Sequence, residues 1–165
     1  MEVVSNTSPL SNLAIVGRLA LLREQFGSVL VPSAVRRELL QLQHPEASRL
    51  LDAAFSDGWL QVTPLLRLVP GNLGAGLHAG EAETLALALE RSADLTLLDD
   101  GDARRRATEA GLRISGVLGI LLRAKLKGHI QSLGEEIRRL RKEARFFIAR
   151  PLERELIAAA GEAPD

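Results

Sequence analysis

Leu95-Thr96-Leu97-Leu98 is a continuous apolar run of the kind that a strand buried on both faces requires. It leads directly into Asp99-Asp100-Gly101-Asp102, and a helical pattern follows to about residue 110. A strand covered on both faces needs helices on each side of its sheet, which commits the chain to an α/β design. The rest of the sequence agrees. Glu2-Val3-Val4-Ser5 reads as a strand ending at Asn6-Thr7-Ser8-Pro9, with Thr7 or Ser8 capping a helix and Pro9 at its first position. Helical spacing continues through Leu10, Leu13 and Ala14, then Leu19, Leu21 and Leu22, with a break at Gly17. Ser28-Val29-Leu30-Val31 is a second strand closed by Pro32, after which Ser33 caps a helix carrying Val35, Leu39 and Leu42.

Farther on, a helix fits residues 45–55 and a short strand residues 59–63. Residues 64–79 form the longest loop, since Pro64, Pro70, Gly71, Gly74 and Gly76 interrupt any period. The next helix opens at Gly80-Glu81 and runs to about residue 91. After the helix that ends near residue 110, residues 112–115 make a last strand and residues 117–125 a helix. Two amphipathic helices close the chain, near 133–147 and 152–160. Ile137, Leu140, Ala144 and Phe147 share a face of the first, with Leu152, Leu156 and Ile157 on the second. Core packing explains that stripe most simply, with a dimer interface or a docked helix as the alternatives.

The 165 residues fit one domain over 1–165, with the motifs in 2–130 and the closing helices in 131–160. Zero cysteines exclude disulfides, thiolate metal sites and a cysteine nucleophile. Aromatic residues make up 3%, too few for a base-stacking platform of the OB or RRM kind. No apolar run reaches the ~18 residues of a membrane span, and no signal-peptide order opens the chain, so a cytoplasmic location is expected. Formal charge is zero but uneven. From Asp99 to Arg145, 12 Lys/Arg face 7 Asp/Glu, whereas 67–98 holds two Arg against Glu81, Glu83, Glu90 and Asp94. That suits a metal-dependent enzyme acting on a polyanion, and it equally describes solvated helix faces.

In parallel α/β sheets, functional groups gather beyond the carboxyl ends of the strands. Here those ends carry Asn6-Thr7-Ser8 and Asp99-Asp100. Capping and the helix dipole account for one or two of Asp99, Asp100 and Asp102. Three acids in four residues exceed that need, and such crowding persists where a cation offsets the repulsion. Glu81 and Glu83 in a first turn, and Glu38 beyond Val35, are individually ordinary. Together they are hard oxygen donors suited to Mg²⁺ or Mn²⁺ and to two-ion phosphodiester chemistry. Arg104, Arg105 and Arg106 open the following helix, where one could reach a phosphate or simply face water. Gly74-Ala75-Gly76 lacks the strand and third glycine of a dinucleotide site, and His44, His78 and His129 have no helical pairing. A receiver-like phospho-acceptor would need a lysine at a later strand end, but Lys125 and Lys127 fall in or just after a helix.

Val3-Val4-Ser5-Asn6-Thr7-Ser8-Pro9-Leu10 resembles the opening of PIN-domain proteins of the Ser-Asp-Thr-Ser-Pro-Leu subgroup. Val31-Pro32-Ser33-Ala34-Val35-Arg36-Arg37-Glu38-Leu39, Gly80-Glu81-Ala82-Glu83-Thr84 and Leu97-Leu98-Asp99-Asp100-Gly101-Asp102-Ala103-Arg104 resemble the three acidic motifs that follow. Ser115-Gly116-Val117-Leu118-Gly119-Ile120-Leu121, with Ala124-Lys125, is similar to the next segment of that subgroup. The resemblance implies a three-layer α/β/α domain, Mg²⁺- or Mn²⁺-dependent cleavage of RNA, a homodimer and, as in VapC-like toxins, an antitoxin partner. By the same resemblance Asn6, Glu81 and Asp100 surround the metal, while Glu38 holds a water or shapes a second position. Asp99 and Asp102 are alternatives or companions to Asp100, and Glu83 is a weaker companion to Glu81. Thr7, Ser8, Arg104 and Arg105 then face RNA. Asn6 departs from the family's aspartate: an amide oxygen can ligate a cation but adds no charge and cannot act as a base. That leaves a nuclease served by the remaining acids, a binding module without cleavage, or a subgroup that works with asparagine.

Overall fold

Adjacent strand residues point to opposite faces, so runs such as Val3-Val4 and Val29-Leu30-Val31 can be covered only by a layer of helices on each side. The computed structural model describes residues 1–164 and shows that arrangement. In chain order the elements are β1 (Val3–Ser5), α1 (Thr7–Ile15), α2 (Ala20–Phe26), β2 (Val29–Val31), α3 (Ser33–Leu40), α4 (Pro45–Ser56) and β3 (Leu60–Val62). There follow α5 (Gly71–Gly74), α6 (Ala79–Glu90), β4 (Leu95–Leu97), α7 (Gly101–Glu109), β5 (Ile114–Ser115) and α8 (Val117–Leu126). Helices α9 (Leu133–Glu143) and α10 (Arg150–Ala159) end the fold.

All pairings are parallel, in the order β3-β2-β1-β4-β5. Val3, Val29, Val31 and Leu97 join Leu13, Leu22, Leu51 and Leu121 in the largest apolar cluster, on the side of α1, α2, α4 and α8. On the other side Val4 and Leu30 meet Leu87 and Ala88 of α6, and Leu98 meets Ala103 and Ala107 of α7. From β1 the chain winds outward to β2 and β3, then crosses back to β4 and β5. That reversal opens a crevice outside the carboxyl ends of β1 and β4, where ligands of such sheets bind. Asn6 and Asp99-Asp100 lie at those two ends.

Several boundaries differ from the sequence expectation. Helix α1 begins at Thr7, so Asn6 is its N-cap and Pro9 lies inside the first turn. Proline fits there because the first N–H groups of a helix have no partner within it. Pro32, not Ser33, precedes α3, and the Ala34 N–H is satisfied by Glu83 Oε1 at 3.1 Å. Helix α9 stops at Glu143 rather than 147, because Arg145 adopts φ 53° and ends the helical path. Ile137 and Leu140 are buried as expected, but Phe147 falls beyond the helix and is 86% exposed. A single turn, α5, interrupts the long loop. Among the described residues no helix is long and apolar enough to cross a membrane.

The closing helices are fastened by one carboxylate. Glu162 accepts from the N–H groups of Leu133 (2.6 Å) and Gly134 (3.1 Å) and from Ser132 Oγ (3.2 Å), with Lys125 Nζ at 3.6 Å. Burial alone would raise its pKa, but these N–H donors, the Ser132 hydroxyl and Lys125 together hold it below the ordinary value. A depressed carboxylate stabilises the fold above its unfolded-state pKa and loses that contribution as pH falls through the folded one. The thermal midpoint is therefore expected to drop on acidification through the carboxylate range, and less so in Glu162→Gln. Parallel pH–melting curves for the two proteins would show that this staple carries none of the effect.

Candidate metal and catalytic site

Glu81 is the third residue of α6 and is 8% exposed. Its Oε1 turns back to accept the His78 N–H at 3.1 Å, satisfying one of the unpaired donors at the helix start. Asp100 caps α7, accepting the Ala103 N–H at 3.0 Å. The two carboxyl groups, from different helices, lie close enough to perturb each other's titration. Burial pushes the Glu81 pKa up, and the neighbouring Asp100 adds to the shift. The Ala103 N–H, chiefly, and the neighbouring Glu81 side chain hold Asp100 below its ordinary value. Two carboxyl groups this close disfavour joint ionisation, and a divalent cation between them would offset that repulsion.

Glu38 reaches the same place from α3. Its carboxylate accepts from Thr7 Oγ1, next to Asn6, and packs on the start of α6. A Cβ built at Gly80 would lie 2.7 Å from Glu38 Oε1 and 2.8 Å from its Cδ, so glycine makes room for this acid beside Glu81. The sequence marks Gly80 only as a helix start; nothing local signals its fit against a residue 42 positions earlier. Replacing Gly80 with Ala should favour α6 by about 0.5–1 kcal/mol while displacing the Glu38 carboxylate. The expected result is an unchanged or higher melting temperature with RNA cleavage lowered ~10–100-fold. Full activity in that variant would show that the position of Glu38 is immaterial.

Asn6 is tied to β4 by its backbone N–H, which donates to Leu97 O at 3.0 Å. Although it is an N-cap, its side chain makes no capping bond, and its Oδ1 is buried without a hydrogen-bond partner among the described residues. A buried carbonyl oxygen left unsatisfied is costly unless something else occupies its lone pairs. Glu81, Asp100 and the Asn6 amide are all hard oxygen donors, the kind that Mg²⁺ and Mn²⁺ take while keeping several waters. Among the described residues no three His, Asp, Glu or Cys side chains converge as a metal cluster.

The remaining residues read from the sequence sit elsewhere. Asp99 points to the far side of its strand end, where Oδ1 accepts the Val117 N–H at 2.9 Å and Oδ2 is buried without a partner among the described residues. Burial raises its pKa, against the Val117 N–H and Arg104. Asp102 is exposed and pairs with Arg105 along α7, so neither joins the Glu81–Asp100 pair. Glu83 faces α3, where it takes the Ala34 N–H and lies 3.7 Å from Arg37. Arg104 donates to Leu98 O at 2.7 Å, next to Asp99. The Thr7 hydroxyl is engaged with Glu38, and Ser8 is half-buried in the first turn of α1.

The frame is thus a parallel α/β domain in which Glu81 and Asp100 lie close beside the switch point, with Glu38 of α3 packed on the start of α6. Residues 2–162 match the family model described as a PIN domain, and the chain belongs to that family, whose members are generally nucleases and typically use divalent metals. Comparison with curated proteins finds no match.

Proposed function

We propose that the protein is a Mg²⁺- or Mn²⁺-dependent ribonuclease that hydrolyses RNA phosphodiester bonds at the crevice between β1 and β4. The observation that carries this reading is the buried Asn6 Oδ1, without a hydrogen-bond partner among the described residues, at the strand ends where Glu81 and Asp100 lie close together. Glu81, Asp100 and the Asn6 Oδ1 would hold the ion. When bound, it lowers the pKa of coordinated water and offsets charge on the phosphate. Asp100 orients the opening of α7 through its cap, and Glu81 fixes the start of α6 through His78, so both donors ride on rigid helices. Glu38, steadied by Thr7, would accept a proton from the attacking water.

Purified protein incubated with RNA and Mn²⁺, beside Asp100→Asn, tests the reading. Cleavage by the wild type alone supports it, and equal cleavage by both would mean contamination. The uncharged Asn6 favours a second reading, a domain that binds RNA or a protein without cutting it. RNA binding in EDTA with no Mn²⁺-dependent product would establish that alternative. A toxin role with an antitoxin partner, and a homodimer, belong to the proposal by the family resemblance. A single-chain mass by light scattering at micromolar concentration would remove the dimer.

A further inference from the structure

We propose that the cavity beside β5 is a nucleobase subsite, seating a guanine of single-stranded RNA next to the Glu81–Asp100 pair; this rests on the ribonuclease reading above. The cavity holds about 420 Å³, and its walls include Asp99, Arg104, Phe146, Phe147, Leu152 and Leu156. It lies between the end of β5, the start of α8 and the segment that enters α10.

Position is the first argument. Asp99 and Asp100 are consecutive, with Cα atoms about 3.8 Å apart. Asp100 turns to Glu81 on α6, and Asp99 turns to Val117 on α8. The cavity that Asp99 lines is therefore one residue along the chain from the Asp100 at which a phosphate would sit. Chemistry is the second. Phe147 leaves 86% of its surface in water, in a chain with only four Phe and one Trp. One exposed ring cannot make a multi-base platform, but it offers a face on which a single base can stack.

The polar floor supplies the edge contacts. Asp99 Oδ2 is buried without a partner among the described residues, beside an Arg104 guanidinium that spends one N–H on Leu98 O. Gly116 keeps the two groups together. A Cβ there would fall on Asp99 Oδ1 and lie 3.0 Å from both Arg104 and Leu98 O. A buried acceptor next to a donor matches a base edge with N–H and C=O side by side. Guanine presents N1–H and its 2-amino group to the carboxylate and O6 to the guanidinium, on the larger stacking surface of a purine.

The test uses four single-stranded RNA octamers identical except at one central base, titrated into the full chain in EDTA so that binding is read without cleavage. The guanine octamer is expected to bind tightest, by about tenfold over the weakest. Phe147→Ala should weaken it about tenfold and bring the four curves together, while Phe147→Trp keeps the ranking. Arg104→Gln, checked by its melting curve, should erase the guanine preference. Equal affinities in the wild type, a ranking led by another base, or a guanine preference intact in Phe147→Ala would each overturn the subsite. The ribonuclease reading fails separately: an octamer bound with guanine preference but left whole with Mn²⁺ would refute cleavage and not the subsite.

Discussion

Asp100→Asn and Glu81→Gln are each expected to lower Mn²⁺-dependent RNA cleavage by at least ~100-fold while leaving the metal-free fold intact, on the scale seen when a pre-organised charge-stabilising group is removed. Both substitutions are close to isosteric and keep the structural duty of the side chain. Asparagine caps a helix as well as aspartate does, so the Ala103 N–H remains satisfied. Glutamine keeps an oxygen for the His78 N–H and gains an amino group for Asp100. What each variant loses is negative charge, and a divalent cation needs that charge. Wild-type rates in either variant, with purity established, would separate the acid pair from catalysis.

The same pair makes opposite predictions for stability with and without metal. The Glu81 pKa is raised in the fold, so the folded state binds more protons than the unfolded one as pH rises from the carboxylate range toward neutrality. Its contribution is therefore full at low pH and declines with rising pH. Asp100, whose pKa is lowered, runs the other way and loses its contribution on acidification. In EDTA near neutral pH, Glu81→Gln should melt at or above the wild type, because the glutamine proton never leaves. Adding Mn²⁺ should raise the wild-type midpoint, increasingly at higher pH, and leave that of Glu81→Gln nearly unmoved. A lower midpoint for Glu81→Gln in EDTA would show that the glutamate stabilises the metal-free fold.

Much of this was legible in the sequence where local pattern decides. The Leu95–Leu98 run, the strand ending at Asn6 and the amphipathic helices all emerge in the structure close to where the periodicity puts them. Direction is what local pattern lacks. Asp99 and Asp100 are equally acidic neighbours, yet the extended chain sends one to α8 and the other to α6. Glu81 and Glu83 stand in one turn, but about 100° per residue carries Glu83 around to α3. Phe147 continues the apolar spacing of Ile137, Leu140 and Ala144, but the backbone leaves the helix at Arg145 before reaching it. Gly80 was invisible as a site residue because its partner, Glu38, is distant in sequence.

Asn6→Asp should tighten Mn²⁺ binding by about tenfold or more, raise cleavage, and lower the melting temperature in EDTA. Asn6 is 5% exposed, and its Oδ1 already lies buried without a protein partner among the described residues. Exchanging the amide for a carboxylate keeps that oxygen in place and adds a charge. Without a cation, a further carboxylate at the crevice meets burial and the neighbouring acids Glu81 and Asp100, so the metal-free fold weakens. With a cation, a unit charge at about 4 Å is worth on the order of 4 kcal/mol per cation charge at an effective dielectric near 20. Much of that is offset by desolvation, which leaves a gain nearer tenfold than the full Coulomb value. The decisive reading is the pair of changes together: a lower midpoint in EDTA and a larger upward shift on adding Mn²⁺. An aspartate that weakens the fold without tightening Mn²⁺ would place position 6 outside the metal's reach and leave Glu81 and Asp100 as its only protein donors.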